Sequence, residues 1–131
     1  MLNIFKKPTL SLGQLGEKAA AIYLKRLGYK ILCTNFTNPA GRRLGEIDLI
    51  TKNNEELVFV EVKTRKNNFN QVILPEENIT SQKLYKLKKI VSYYLQTNNL
   101  WNQTYRFDAV TVLYNENTKI FKIKHLKNIF L

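Results

Sequence analysis

The chain has 131 residues, 44% of them apolar, which suits one globular domain that needs no covalent staples. Cys33 is the only cysteine, which excludes an intrachain disulfide and Cys-rich zinc sites and fits a reducing, cytoplasmic location. Lysine plus arginine number 21 against 10 acids, a formal charge of +11, so a polyanion such as nucleic acid is a natural partner, although a solvated basic surface gives the same balance.

The opening decapeptide MLNIFKKPTL has no long apolar run, which argues against a signal peptide or membrane span. Residues 1–10 read as a basic lead-in, and 11–131 as the single folded domain. Ser11 is placed to cap a helix running to about Leu27, with Gly28 as its stop. That helix has an apolar stripe of Ala20, Ala21, Leu24 and Leu27. Glu17, four residues before Ala21, falls on the same stripe, where a carboxylate needs a partner. Lys18 points away from it. Lys30 to Phe36 reads as a strand. Thr37 to Arg43, with Pro39 and Gly41, reads as a loop.

Two further strands are expected at Leu44 to Thr51 and Leu57 to Arg65, joined by a turn near Asn53, Asn54 and Glu55. Strict alternation puts Leu44, Glu46, Asp48 and Ile50 on one face of the first. It puts Leu57, Phe59, Glu61, Lys63 and Arg65 on one face of the second. A two-residue turn at Asn54-Glu55 sets Asp48 opposite Glu61. A turn at Asn53-Asn54 makes them diagonal neighbours, and either leaves them within reach. A slip of one residue would separate them.

Lys66 to Ile79 reads as a polar loop. Thr80 or Ser81 then starts an amphipathic helix to about Gln96, with Leu84, Leu87, Val91, Tyr94 and Leu95 on the buried side. Strands at Tyr105 to Leu113 and Ile120 to Lys124 follow, with a turn near Asn115 to Thr118. The fold class is α/β, in the order α-β-β-β-α-β-β, a mixed sheet of about five strands flanked by helices.

The chemistry gathers on the hairpin. Two carboxylates held together repel, and a cation between them removes the conflict. Oxygen ligands without His or Cys suit Mg²⁺ or Mn²⁺. Lys63, on the same face, would reach the same phosphate and orient water or stabilise developing charge. Taken singly, each residue also has a plain structural role: Asp48 ends a strand, Glu61 and Lys63 form a surface pair, and Glu17 complements a helix start.

Together, Gly45-Glu46-Ile47-Asp48, a hairpin and Glu61-Val62-Lys63 resemble the PD-(D/E)XK nuclease core. The strings GEKAAAIYLKRLGYKIL, GEIDLI, LVFVEVKTR, ITSQKLYKLKK and RFDAVTV resemble the YraN-like uncharacterised family, itself similar to archaeal Holliday-junction resolvases. The resemblance runs from about Leu15 to Leu113. It implies a restriction-endonuclease-like core, with Asp48, Glu61 and the Val62 carbonyl as metal ligands, Lys63 as catalytic lysine and Glu17 as a further acid of the site. Ile47 stands where the motif usually has proline, and Glu46 lies beside the site without an assigned role. The function implied is a Mg²⁺- or Mn²⁺-dependent endonuclease hydrolysing DNA, structured or branched DNA included, as a monomer or homodimer. The rival reading is a nucleic-acid-binding protein that keeps the nuclease scaffold and does not cut.

Arg42, Arg43, Arg65 and Lys66 flank the acids, and Lys83, Lys86 and Lys89 form a stripe expected on the exposed side of the second long helix. All seven are candidate phosphate contacts. Arg106 and Asp108, alternating on one strand face, are expected to form a supporting ion pair. His125 is the only histidine, which argues against HNH or His-metal catalysis, and it is expected at a surface strand end. Tyr23, Tyr29, Phe36, Phe59 and Tyr94 read as core aromatics.

Overall fold

A computed structural model describes residues 10–38, 45–66 and 80–129. The lead-in 1–9, Arg42, Arg43, Leu44 and the polar loop at 67–79 lie outside the described residues. The elements are α1 (Leu12–Arg26), β1 (Lys30–Thr37), β2 (Glu46–Asn53), β3 (Glu56–Lys66), α2 (Ser81–Thr97), β4 (Tyr105–Asn115) and β5 (Ile120–Leu126). They follow the order read from the sequence.

Local chemistry sets the ends of α1. Ser11 Oγ accepts from the Gln14 amide, and the Gln14 side chain accepts from the Ser11 amide, a reciprocal capping box. At the other end Gly28 takes φ +94°, the Gly28 amide donates to Lys25 and the Tyr29 amide to Leu24. That is the Schellman pattern, which glycine enters without steric cost. Leu27 is the C-cap and stays 51% exposed, contrary to its place on the apolar stripe, because the helix ends before its side chain can turn inward. Thr80 caps α2 by accepting from the Lys83 amide.

The sheet order is β1-β2-β3-β4-β5, with β3 and β4 parallel and every other pair antiparallel. A parallel pair needs a crossover, and α2 supplies it. The run Leu57, Val58, Phe59, Val60 is buried throughout because β3 is covered on both faces. On one face Ala20 and Leu24 of α1 pack with Tyr29, Leu49, Val58, Val60, Val110 and Val112. On the other, Leu87, Ile90, Val91, Tyr94 and Leu95 of α2 pack with Ile47, Ile50, Leu57, Phe59 and Phe107. Leu84, expected on that buried side, is only half-buried, since it lies in the first turn of α2.

Strict alternation fails in β2. Ile47 and Ile50, three residues apart, both face α2, so Ile50 does not share a face with Glu46 and Asp48 as the simple pattern requires. The neighbouring β1 strand is irregular as well: Cys33 and Phe36, also three apart, pack on the α2 side, and Asn35 between them has φ +51°. Asparagine tolerates that left-handed conformation better than other L residues. Asn35 and Asp48 thus sit at a shared kink in the β1–β2 pair.

Candidate metal and phosphate site

The β2–β3 hairpin takes the first of the two registers left open by the sequence. Asn53 pairs with Glu56 across Asn54-Glu55, and Asn54 has φ +55°. The ladder then runs to Leu49 and Val60 and stops. Beyond it the two strands part, and the Asp48 carboxylate, instead of a backbone carbonyl, accepts the Val62 amide at 2.7 Å. The candidate site lies in this fork.

From the α1 side comes Glu17. Carboxylate oxygens of Glu17, Glu46 and Asp48 all lie within 4.8 Å of one another. The Asn35 side-chain amide donates to Glu17 at 3.2 Å and to Glu46 at 3.1 Å, which ties the two acids together. Glu17 reaches the fork because α1 lies very close to β3. A Cβ on Gly16 would come within 2.7 Å of both Cβ and Cγ2 of Thr64, and closer still to its hydroxyl. Only glycine fits there, and the residue after it is delivered to Asp48. An isolated glycine in an alanine-rich helix signals close approach of this kind, but the sequence does not say to what.

From the α2 side comes Lys83. By alternation along β3, Glu61 continues the Leu57–Phe59 face toward α2, and its Oε1 is contacted by the ammonium groups of Lys63, at 3.5 Å, and of Lys83. Glu61 Oε2 is buried and has no hydrogen-bond partner. Lys83 is therefore half-buried in the acidic cluster rather than on the exposed helix side where a simple lysine stripe would put it. The reason is its position in the first turn of α2, which faces the end of β3. Lys86 is half-buried, while Lys89 is exposed and lies over the Tyr85 ring at 4.7 Å. Arg65 bonds the Thr64 carbonyl, and exposed Lys66 pairs with Glu116.

The electrostatics follow from this crowding. Asp48 is pushed up from 3.8 to about 7, first by burial, with Glu17, Glu61 and Glu46 adding repulsion that the Val62 amide only partly offsets. Burial, and then the neighbouring Lys83 ammonium, pull Lys63 below the ordinary lysine value. Lys83 is held above it, because its bonds to Glu61 outweigh the cost of burial. Among the described residues the triad of Glu17, Glu46 and Asp48 has the spacing one cation can span, while Glu61 lies outside that triad, on the α2 side with its two lysines. Acidic side chains can also adopt such spacing with no ion present.

A second polar cluster lies on the same sheet and corrects the expectation for His125. Its side chain is only 4% exposed. Nε2 meets Asp108 Oδ2 at 2.7 Å, and Nδ1 lies 3.1 Å from the Tyr23 hydroxyl. Asp108, fully buried, also accepts from Arg106 and from the Asn128 amide. Arg106 reaches on to Glu56 and to the Tyr29 hydroxyl, both at 2.7 Å. The Arg106–Asp108 pair expected from the strand pattern is present, and β5 carries His125 inward onto it because β5 pairs with β4 at Val110–His125. This cluster ties β5, α1 and β3 to β4 and satisfies its own members. Trp101 is 64% exposed. Among the described residues no helix is long and apolar enough to cross a membrane.

The family model described as "Uncharacterised protein family UPF0102" matches residues 16–112, a stretch holding every residue of the fork. A UPF0102 protein of Caldicellulosiruptor saccharolyticus is 41% identical over 119 residues, covering 91% of this chain and 96% of the relative. One from Clostridium acetobutylicum is 39% identical over 118 residues, covering 90% and 92%. One from Caldanaerobacter subterraneus subsp. tengcongensis is 41% identical over 122 residues, covering 92% and 94%. With the match spanning most of the chain on both sides, this protein belongs to the uncharacterised protein family UPF0102.

Proposed function

We propose that this protein is a metal-dependent endonuclease that hydrolyses phosphodiester bonds in DNA, structured or branched DNA included, on a PD-(D/E)XK-like scaffold. The observation that carries this reading is the fork itself. Three carboxylates from α1 and β2 cluster there, and Glu61 of β3, held by lysines from β3 and α2, lies near enough to act on Asp48, on a chain of charge +11. The donors fit a hard divalent cation: they are all oxygen, one carboxylate oxygen of Glu61 is buried and unpartnered, and Asp48 is pushed up to about 7, first by burial and then by its acidic neighbours. Asp48, Glu61, Glu17 and the Val62 carbonyl would hold Mg²⁺ or Mn²⁺, with Glu46 added by its place in the triad.

When bound, such a cation supplies Lewis-acid activation of water and neutralises charge on the scissile phosphate. The chain's own residues do the rest. The Val62 amide fixes the orientation of Asp48, and Asn35 does the same for Glu17 and Glu46. Lys63, half-buried beside Glu61, presents an ammonium to the phosphate oxygens, where charge grows as water adds to phosphorus. The attacking water loses a proton as its oxygen bonds to phosphorus, one bridging P–O bond breaks, and the departing sugar oxygen gains a proton, so that one water is consumed overall. Arg65, Lys66, Lys86 and Lys89 are candidate contacts to flanking phosphates; Arg42 and Arg43 belong to the same proposal but lie outside the described residues.

The test is cleavage of a panel of duplex, single-stranded, flap and four-way DNA with Mg²⁺ or Mn²⁺. Cleavage that survives repurification and disappears in Asp48→Ala and Lys63→Ala supports the reading. No cleavage of any substrate, or equal cleavage by those variants, refutes catalysis. One observation favours the rival reading of a DNA-binding protein that does not cut. Glu61 already has two ammonium partners, so its charge is balanced without a metal. Salt-sensitive DNA binding with no heat on Mn²⁺ titration would select that reading.

A further inference from the structure

We propose that Lys83 is a built-in counterion that occupies the place of the divalent cation at Glu61, and that metal binding displaces it toward the phosphate backbone. The inference rests on the metal-dependent reading above and adds a role for a residue on the opposite side of the sheet from Glu17.

Both lysine ammonium groups converge on one oxygen of Glu61, Oε1, while Oε2 is buried and unpartnered. A carboxylate with only 13% of its side chain exposed needs its charge balanced. Two lysines on one oxygen supply more positive charge than one carboxylate needs. Lys63 is fixed two residues along the same strand, so it stays beside Glu61 whatever else binds.

Lys83 is held differently. Its backbone is pinned by the Thr80 cap at the start of α2, but the ammonium reaches Glu61 on a flexible four-carbon stem. The first turn of a helix is unfavourable for a cation because the helix dipole is positive there, and the first turn of α2 carries no acidic residue to compensate. The Glu61 contact is the compensation shown for Lys83 by its ion pairing. A divalent ion taking Glu61 as a ligand would put a third positive centre against that carboxylate. The ammonium in the least favourable place would then leave.

Released from Glu61, Lys83 remains at the mouth of the fork, 32% exposed even in the paired state, and a phosphate oxygen can replace the lost carboxylate. The exchange makes metal and nucleic acid bind cooperatively: the metal frees the cation that the phosphate recruits. In the absence of metal the same contact helps balance the charge of Glu61.

The experiment is calorimetric titration of the full chain with MnCl₂, alone and as Lys83→Met and Lys83→Arg. Removing the competitor should tighten Mn²⁺ binding about twofold to fivefold in Lys83→Met, the worth of one partly screened charge contact. Lys83→Arg should stay near wild type. Binding by wild type that is unchanged or weakened in Lys83→Met overturns the inference and leaves the metal reading intact. No Mn²⁺ binding by wild type overturns both. A second readout needs no variant: acylation of Lys83 by an amine reagent, followed by mass spectrometry and normalised to exposed Lys18, should rise on adding Mn²⁺. Equal Lys83 labelling with and without bound Mn²⁺ overturns the displacement.

Discussion

Replacing Asp48 with asparagine should stabilise the metal-free protein at alkaline pH while removing a ligand from the proposed site. Asp48 titrates at about 7 in the folded chain against 3.8 ordinarily, so folding costs it free energy whenever solvent pH would ionise it. Below 3.8 the carboxyl is protonated in both states and contributes no penalty. As pH rises from there the unfolded chain ionises first and stability falls, until the folded group also ionises near 7 and the full cost is in place. A difference of that size corresponds to about 4 kcal/mol as an upper figure. Asp48 is only half-buried, and water screens part of the repulsion, so on the order of 2–4 kcal/mol is expected. Asparagine keeps an oxygen to accept the Val62 amide and presents an NH₂ to Glu17 and Glu46, so the fork retains its hydrogen bonds. Urea denaturation between pH 4 and 8.5 in chelator should show the variant gaining on wild type as pH rises. A stability difference that does not change with pH, or a variant less stable than wild type at pH 8.5, would show that the acids are not in conflict in the folded chain.

Two further substitutions probe how the fork and its frame are held. Gly16→Ala should destabilise the fold by about 1–2 kcal/mol in the same assay, because overpacking against Thr64 exceeds the roughly 1 kcal/mol that alanine adds to helix propensity. Pairing it with Thr64→Ala should recover part of the loss, and a stabilised Gly16→Ala would refute the close approach of α1 to β3. Asp108→Asn leaves Arg106 and His125 without their buried anionic partner and should cost about 3–5 kcal/mol at pH 7. The bonds from His125 and Arg106 hold the Asp108 carboxyl below its ordinary 3.8 against the pull of burial. Its contribution is therefore complete above 3.8 and is lost as pH falls through the lower folded value, so the Asp108→Asn deficit should shrink in acid. A deficit independent of pH would place the loss in packing rather than charge.

The elements themselves were legible in the chain because they depend on neighbours. Ser11 and Gly28 bracket α1 through capping and a left-handed stop, and the apolar spacing of Leu87, Val91, Tyr94 and Leu95 marks the inner face of α2. The period-2 pattern of β2 and β3 restricted the hairpin to two registers, and the structure takes the one that pairs Asn53 with Glu56, with Asn54 at φ +55° in the turn. Glu17, Asp48, Glu61 and Lys63 could be singled out because charged residues interrupted those periods.

What the periods could not supply was which distant side chains meet. Glu46 joins Glu17 and Asp48, and Asn35 bridges two of them, only because β1 and β2 kink together and break the alternation that sequence reading assumes. Gly16 matters through Thr64, which lies far along the chain. Lys83 belongs to an exposed stripe by helical spacing, yet the crossover sets the first turn of α2 against the end of β3 and turns the ammonium onto Glu61. His125 sits near the end of the last strand, yet its pairing with β4 buries it against Asp108. Sequence alone determined the elements, their order and the carriers of charge, because hydrogen bonding and apolar periodicity act over a few residues. The hairpin carboxylates became a fork of acids and lysines only in the tertiary structure, because packing on both faces of β3 decides which charges must share one partly buried space.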